Sequence, residues 1–186
     1  MKNILKAVFL VAVLYTTHAN AQGKWYTRNG KIRFFSETSA ENIDASNNEV
    51  FSMLDPDKNA VAFQVLITGF KFDKALMQDH FNENFMETTK FPKATFQGVI
   101  TDPSKVNFSR DGDYDVEVGG DLTMHGITNK VTIPAHIHIA DKKISGESKF
   151  DVKLADYKIK VPEIVTQQVS DKVSVSVNCQ YEPYAR

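Results

Sequence analysis

The sequence predicts an all-β fold, a sandwich or barrel of about eight strands, interrupted by one short helix. Three observations carry this. Apolar and polar residues alternate along much of the chain, most clearly from Val131 to Ile139, where every odd position is apolar and every even one is polar or proline. Turn chemistry separates these runs, at Asp55-Pro56-Asp57-Lys58-Asn59, Asp102-Pro103-Ser104 and Arg110-Asp111-Gly112-Asp113. One segment alone, Lys74 to Phe85, changes to helical spacing.

The first 21 residues read as an export signal. Lys2 and Lys6 precede the apolar run Ala7 to Leu14, and Ala19-Asn20-Ala21 is an A-x-A cleavage site. Cleavage after Ala21 is expected to deliver residues 22–186 to the periplasm as a single domain. The apolar run is too short to span a bilayer, so no stable membrane insertion is expected. Losing Lys2 and Lys6 leaves 20 basic residues against 23 acidic ones, a net charge of about −3. With no basic run, nucleic acid is a poor partner, and strong docking to an anionic membrane is unsupported. The single cysteine, Cys179, leaves no internal disulfide framework. It falls in step with Val173, Val175 and Val177 and is read as a buried, inert thiol.

In order, Lys31 to Ser36 is the first strand, which leaves Trp25 outside the barrel. Ser39 to Asn48 is polar and reads as a loop with one helical turn. Glu49 to Leu54 and Ala60 to Thr68 form a hairpin, the second strand carrying Val61, Phe63, Val65 and Ile67 on one side. The helix follows, with Asp73 as its N-cap. Leu76, Met77, His80, Phe81, Asn84 and Phe85 share one face of it. Phe91-Pro92 ends this pattern, and Thr95 to Thr101 is again a strand. Val106 to Phe108 is a brief extended piece. Tyr114 to Leu122 alternates, with Gly119-Gly120 marking a bulge or a close approach. Pro134 places its strand at an edge or a bulge. Ile144 to Leu154 and Val169 to Gln180 are the last strands, and the less regular Ala155 to Gln168 is read as crossing an end of the barrel.

Chemical motifs are scarce. The chain has no G-x-S-x-G, H-E-x-x-H, phosphate-binding glycine loop or C-x-x-C. His136 and His138 share a strand face, but no third metal ligand is evident, and they read as solvent-facing. Leu122 to Thr128 puts Met124, His125 and Gly126 at a strand junction. Gly126 suits a tight turn, and Thr123 and Thr128 can bond the turn's backbone groups. This is either a structural hairpin or a polar fixture at the mouth of an apolar cavity.

Leu122-Thr123-Met124-His125-Gly126-Ile127-Thr128-Asn129-Lys130-Val131 resembles the LTLHGVTKPV signature of the YceI-like family. Met77 through His80, Phe81 and Phe85 to Lys90-Phe91-Pro92-Lys93-Ala94-Thr95-Phe96 is similar to that family's RDxHL…FF…yPxxxF block. The blocks stand in the family's order, and the resemblance covers most of the mature chain. The chain departs from the pattern in lacking an arginine before Asp79 and an evident N-terminal histidine with its G-x-F partner between Ser36 and Asn48. The resemblance implies a lipocalin-like, eight-stranded antiparallel barrel in the periplasm. It also implies an apolar tunnel for a polyisoprenoid chain, such as a quinone tail, and no established enzymatic activity.

The expected function is therefore a periplasmic carrier or sequestering protein for an isoprenoid or similar amphiphilic lipid. No catalytic residue, metal or cofactor is expected, the bound isoprenoid or quinone-type lipid being the ligand. Phe63, Val65 and Ile67 are expected to line the tunnel. Met77, Phe81 and Phe85 form its lid, with Phe96 beside it, and Met124 and His125 lie near the mouth. Two other classes stay open: a filled-core envelope-stress or interaction module, and an enzyme on a small apolar substrate in which His80 and His125 converge. A homodimer is left open.

Overall fold

The computed structural model of the chain describes residues 23–37, 42–160 and 171–184. The expected leader, and residues 161–168 of the expected crossing, lie outside the described residues. Among the described residues nine strands are seen: β1 (Trp25–Ser36), β2 (Ile43–Asp55), β3 (Ala60–Leu66), β4 (Lys71–Phe72), β5 (Lys93–Ile100), β6 (Gly112–Met124), β7 (Ile127–Ala140), β8 (Lys143–Lys153) and β9 (Lys172–Pro183). They run antiparallel in the order β1-β9-β8-β7-β6-β5-β3-β2, and β2 pairs back onto β1. Eight strands thus close a barrel, as expected. The two-residue β4 is added to β2 at Ala45 and Ser46, past the end of β3.

The first hairpin is longer than its alternation suggested. β1 begins at Trp25, which pairs with Leu54 and Pro183 and packs against the core, so Trp25 belongs to the barrel. Residues 43–48, expected in a loop, are strand. Their inward residues include the polar Asn47, which is 1% exposed. Its side chain donates to the Leu66 carbonyl at 3.0 Å and accepts from the Glu49 N–H at 2.8 Å. A polar residue can enter a strand interior when both of its polar atoms are bonded there. The β1–β2 register shifts on either side of Gly30. The inward set on β2 correspondingly changes from Ala45 and Asn47 to Val50, Ser52 and Leu54.

Close approaches account for two glycine positions. A Cβ on Gly120 would lie 2.3 Å from the Gln97 carbonyl oxygen, and one on Gly30 2.8 Å from the Cys179 Sγ. Cys179 is buried, and burial pushes its thiol up to about 11, so it stays protonated. The residues near Val106 are extended but unpaired, following a 3-10 turn at Pro103–Lys105.

The barrel ends differ. One carries Trp25, the 101–111 loop and the Asp141–Lys142 hairpin, and is filled by Leu54, Ile100, Val116, Ile139, Ile144 and Tyr181. Inside this core the Ser52 hydroxyl and the Tyr181 phenol bond each other at 2.9 Å. The other end receives everything between Ile67 and Pro92, the β6–β7 turn and the Leu154–Tyr157 turn.

A seam interrupts the wall between β7 and β8. β7 pairs with β8 only from His136 to Ala140, against Lys143 to Glu147, although both strands run on toward the helical end. The Pro134 carbonyl faces β8, where it accepts the Ser148 hydroxyl at 2.6 Å. On a strand, one residue's N–H and C=O face the same neighbour, so the donor Pro134 lacks is one β8 would have used. Beyond it the Leu154–Tyr157 turn covers the gap, with Tyr157 and Ile159 buried. Asn129 Nδ2 donates to the Asp156 carbonyl at 2.8 Å across it.

Candidate functional site

The helical insertion is entered from β4. Lys74, not Asp73, is the cap residue, and no side chain caps the helix. α1 (Ala75–His80) has only six residues and continues as a π-helical turn, Phe81–Phe85. A helix this short gains little from its own backbone bonds and is held by packing. Phe81 supplies it. Its ring lies 5.3 Å from Phe34, 5.8 Å from Phe70 and 5.0 Å from Phe72, measured between centroids. Phe34 comes from β1, Phe72 from β4 and Phe70 from the bend before it. The wider turn bonds the Met86 N–H to the Phe81 carbonyl at 2.9 Å, and Met86 is buried with the same group.

Beneath this roof lies a cavity of about 550 Å³, within the size range of small-ligand sites. Phe63, Val65, Ile67, Phe96 and Met124 line it from the wall, and Met77, Phe81 and Phe85 line it from the insertion. Its inner limit is set by Leu54, Ile100, Ile137, Ile144 and Tyr181. Lys74, Leu76 and His80 line its rim, where Leu76 is 65% exposed. The helix face is thus only partly turned inward, and Asn84 is exposed and does not reach the cavity.

His125 does not line the cavity. It sits in the β6–β7 turn at φ 51, followed by Gly126 at φ 74, a pair of left-handed residues as two-residue hairpins need. Its side chain is 10% exposed, and its ring meets Phe91 edge-on at 4.7 Å. Nδ1 lies 3.0 Å from the Tyr157 carbonyl oxygen, and Nε2 lies 3.2 Å from Glu87 Oε2. Glu87 also accepts from Lys90. That bond, with a smaller contribution from His125, holds the Glu87 carboxyl below its usual range. His80 and His125 therefore do not converge on the cavity. Thr123 and Thr128 bond each other at 2.7 Å rather than the turn's backbone.

On the outer wall, His136 bonds Asp115 at 2.8 Å and His138 bonds Asp113 at 2.6 Å. Among the described residues no group of three or more His, Cys, Asp or Glu is placed to hold a metal ion. No helix among them is long and apolar enough to cross a membrane.

Sequence reasoning did not include Phe34, Phe70, Phe72 or Met86 in the site. Phe70 and Phe72 alternate across Lys71 just before the helix, and Phe34 has the inward parity of β1. That pattern was a readable signal for a ring cluster, though not for its partners.

The YceI-like domain family model matches residues 13–181. Protein YceI of Shigella flexneri is 27% identical over 124 residues, which is 63% of this chain and 61% of that protein. The chain thus spans about three fifths of the length of the curated relatives it matches. A polyisoprenoid-binding domain from Saccharophagus degradans, implicated in plant cell wall breakdown, superposes with a TM-score of 0.75 at 13% identity, covering 88% of this chain and 99% of that one. BcnA of Burkholderia cenocepacia gives 0.69 at 17% identity, covering 82% and 96%. These structures share the fold. With the family model matching nearly the whole described barrel and both sequence blocks in place, the chain belongs to the YceI-like domain family.

Proposed function

We propose that this chain is an exported binding or carrier protein, acting in the periplasm, that holds the hydrocarbon part of an isoprenoid or quinone-type lipid in its barrel. The observation that carries this is the roofed cavity of about 550 Å³, lined almost wholly by aliphatic and aromatic side chains. Hydrocarbon needs little more. At about 0.8 kcal/mol per buried CH₂, one five-carbon unit contributes roughly 3–4 kcal/mol gross, and a few units outweigh an association cost of about 4–15 kcal/mol. The polyisoprenoid binding of the Saccharophagus degradans domain supports the same ligand class. Phe63, Val65, Ile67, Met77, Phe81, Phe85, Phe96 and Met124 are the proposed contacts. In this reading no residue is catalytic; Lys74, His80 and Glu147 also line the cavity, but they are few beside its apolar side chains. A filled-core module would want an interior packed solid, which the cavity disfavours.

Protein purified from its native envelope, extracted with solvent and examined by mass spectrometry, should release about one long-chain isoprenoid or quinone-type lipid per chain. Phe81→Asp, still folded by circular dichroism, should release almost none. Absence of stoichiometric lipid from the wild type, or unchanged lipid in the variant, would overturn the assignment.

A further inference from the structure

His125 stands where three covering segments of the cavity end meet. It belongs to the β6–β7 turn. Its Nε2 reaches Glu87, in the segment that returns from the lid to β5, and its Nδ1 reaches the Tyr157 carbonyl, in the turn that covers the β7–β8 seam. A carbonyl and an ionised carboxylate are both acceptors only. A neutral imidazole has a single N–H and can satisfy one of them. Only the imidazolium donates to both at once.

We infer that His125, as an imidazolium, is a clasp that holds both covers shut, and that loss of its proton frees one of them and opens the route by which an apolar ligand enters and leaves. This rests on the proposed carrier function for the ligand, but the clasp itself is a property of the empty protein. His125 is a positioning residue here and touches no cargo. Removing the proton leaves either Glu87 or the Tyr157 carbonyl facing a lone pair. The lid segment is otherwise joined to the barrel by the short β4–β2 pairing, by the Ile67 N–H on the Pro92 carbonyl at its base, by ring contacts and by the buried Met86. The seam turn is otherwise held by the Leu154 N–H, which donates to the Asp171 carbonyl at 3.1 Å, by Asn129 and by the buried Tyr157 and Ile159 side chains. Neither cover is laced into the wall by a long ladder, so one charge-assisted bond is a large share of what closes it.

The charged and titratable groups facing the clasp are few. The lid side brings Glu87 and Lys90, which bond each other. The seam turn brings Asp156, Tyr157 and Lys158, and β7 brings Lys130, which pairs with Asp121. Of these groups His125 is the one histidine, the residue type suited to a charge switch near neutral pH. Among the described residues His80, at the rim, is the other histidine at this end of the barrel.

The test is amide hydrogen exchange on the ligand-free protein at about pH 5.5 and about pH 8, corrected for the intrinsic effect of pH on exchange. At least one of the peptides covering 86–92 and 154–160 should be protected roughly tenfold less at the higher pH, the factor that loss of one charge-assisted bond carries. Peptides from the filled end should not change. His125→Gln should exchange at the fast rate at both pH values, and Glu87→Gln should shift only the lid peptides. Equal protection of the wild type at both pH values would overturn the clasp, as would a pH dependence that survives in His125→Gln, which would move the switch to His80. Release of N-phenyl-1-naphthylamine, an uncharged apolar fluorophore, should quicken by the same factor in the wild type between the two pH values. A protein that never takes up the probe, yet shows the exchange pattern, would fail the carrier reading and keep the clasp.

Discussion

At the end of the barrel that carries Trp25 and the Asp141–Lys142 hairpin, buried aliphatic side chains and Tyr181 from neighbouring strands pack into one cluster that bounds the cavity. At the end that carries α1, rings from β1, β4 and a π-helical turn lean on one another over an empty space. At the first end the side chains sit on strands whose ladders run from Gly112 against Ile139 and from Ala140 against Lys143. At the second the β7–β8 ladder has stopped, and side-chain bonds from Ser148, Asn129 and His125 stand in for it. The one buried side-chain polar atom without a partner among the described residues, Asn82 Oδ1, is in the lid. The contrast separates stability from access. A filled end can bring global stability, whereas a roofed end can open without unfolding the barrel.

The largest expected effect tests the filled end. Ile139 is 4% exposed and does not line the cavity. Ile139→Ala should cost about 2–5 kcal/mol in denaturant melts while lipid content per folded molecule stays level. A parallel loss of lipid would show that the two ends are not separable. Next is Tyr181→Phe, which strands the buried Ser52 hydroxyl and should cost about 1–3 kcal/mol. Gly126→Ala acts at the roofed end. Its φ of 74 and a Phe91 ring carbon 2.6 Å from the added Cβ should cost about 1–2 kcal/mol. The sharper signature there is faster exchange in 86–92 with the filled end unchanged.

The smallest effect belongs to the outer wall. Asp115, then Asp113, raises the His136 pKa above its ordinary value, and bonds from His138, then His136, lower that of Asp113. A raised histidine contributes stability that is fully present below its unfolded pKa and is lost as pH rises through the folded one. A lowered aspartate contributes stability above its unfolded pKa that is lost as pH falls. Both contributions are therefore present in mildly acidic solution. The groups are exposed, so the gain is small. His136→Gln should shift the denaturation midpoint slightly at about pH 5.5 and not at about pH 9. A shift that grows toward high pH would reverse this sign.

Alternation and turn residues by themselves determined the antiparallel all-β class and the inward set of β3, β5, β6, β7 and β8, because a strand's faces repeat every two residues and one face must be apolar. They also determined that a helix interrupts the strands, and that Phe63, Val65, Phe81 and Phe96 point to a common interior. Local pattern could not show that 43–48 is strand, since Asn47 earns its place through a carbonyl 19 residues away. Nor could it show that β1 reaches back to Trp25, because the register shifts beside Gly30 break the alternation. The role of His125 was equally hidden. Its partners, Glu87 and Tyr157, lie 38 and 32 residues away, and only closure of the barrel brings them to one imidazole. Whether the interior is hollow was likewise decided by tertiary structure, because a void depends on how far apart the walls and the Phe81 roof are held, a distance that no stretch of sequence encodes alone.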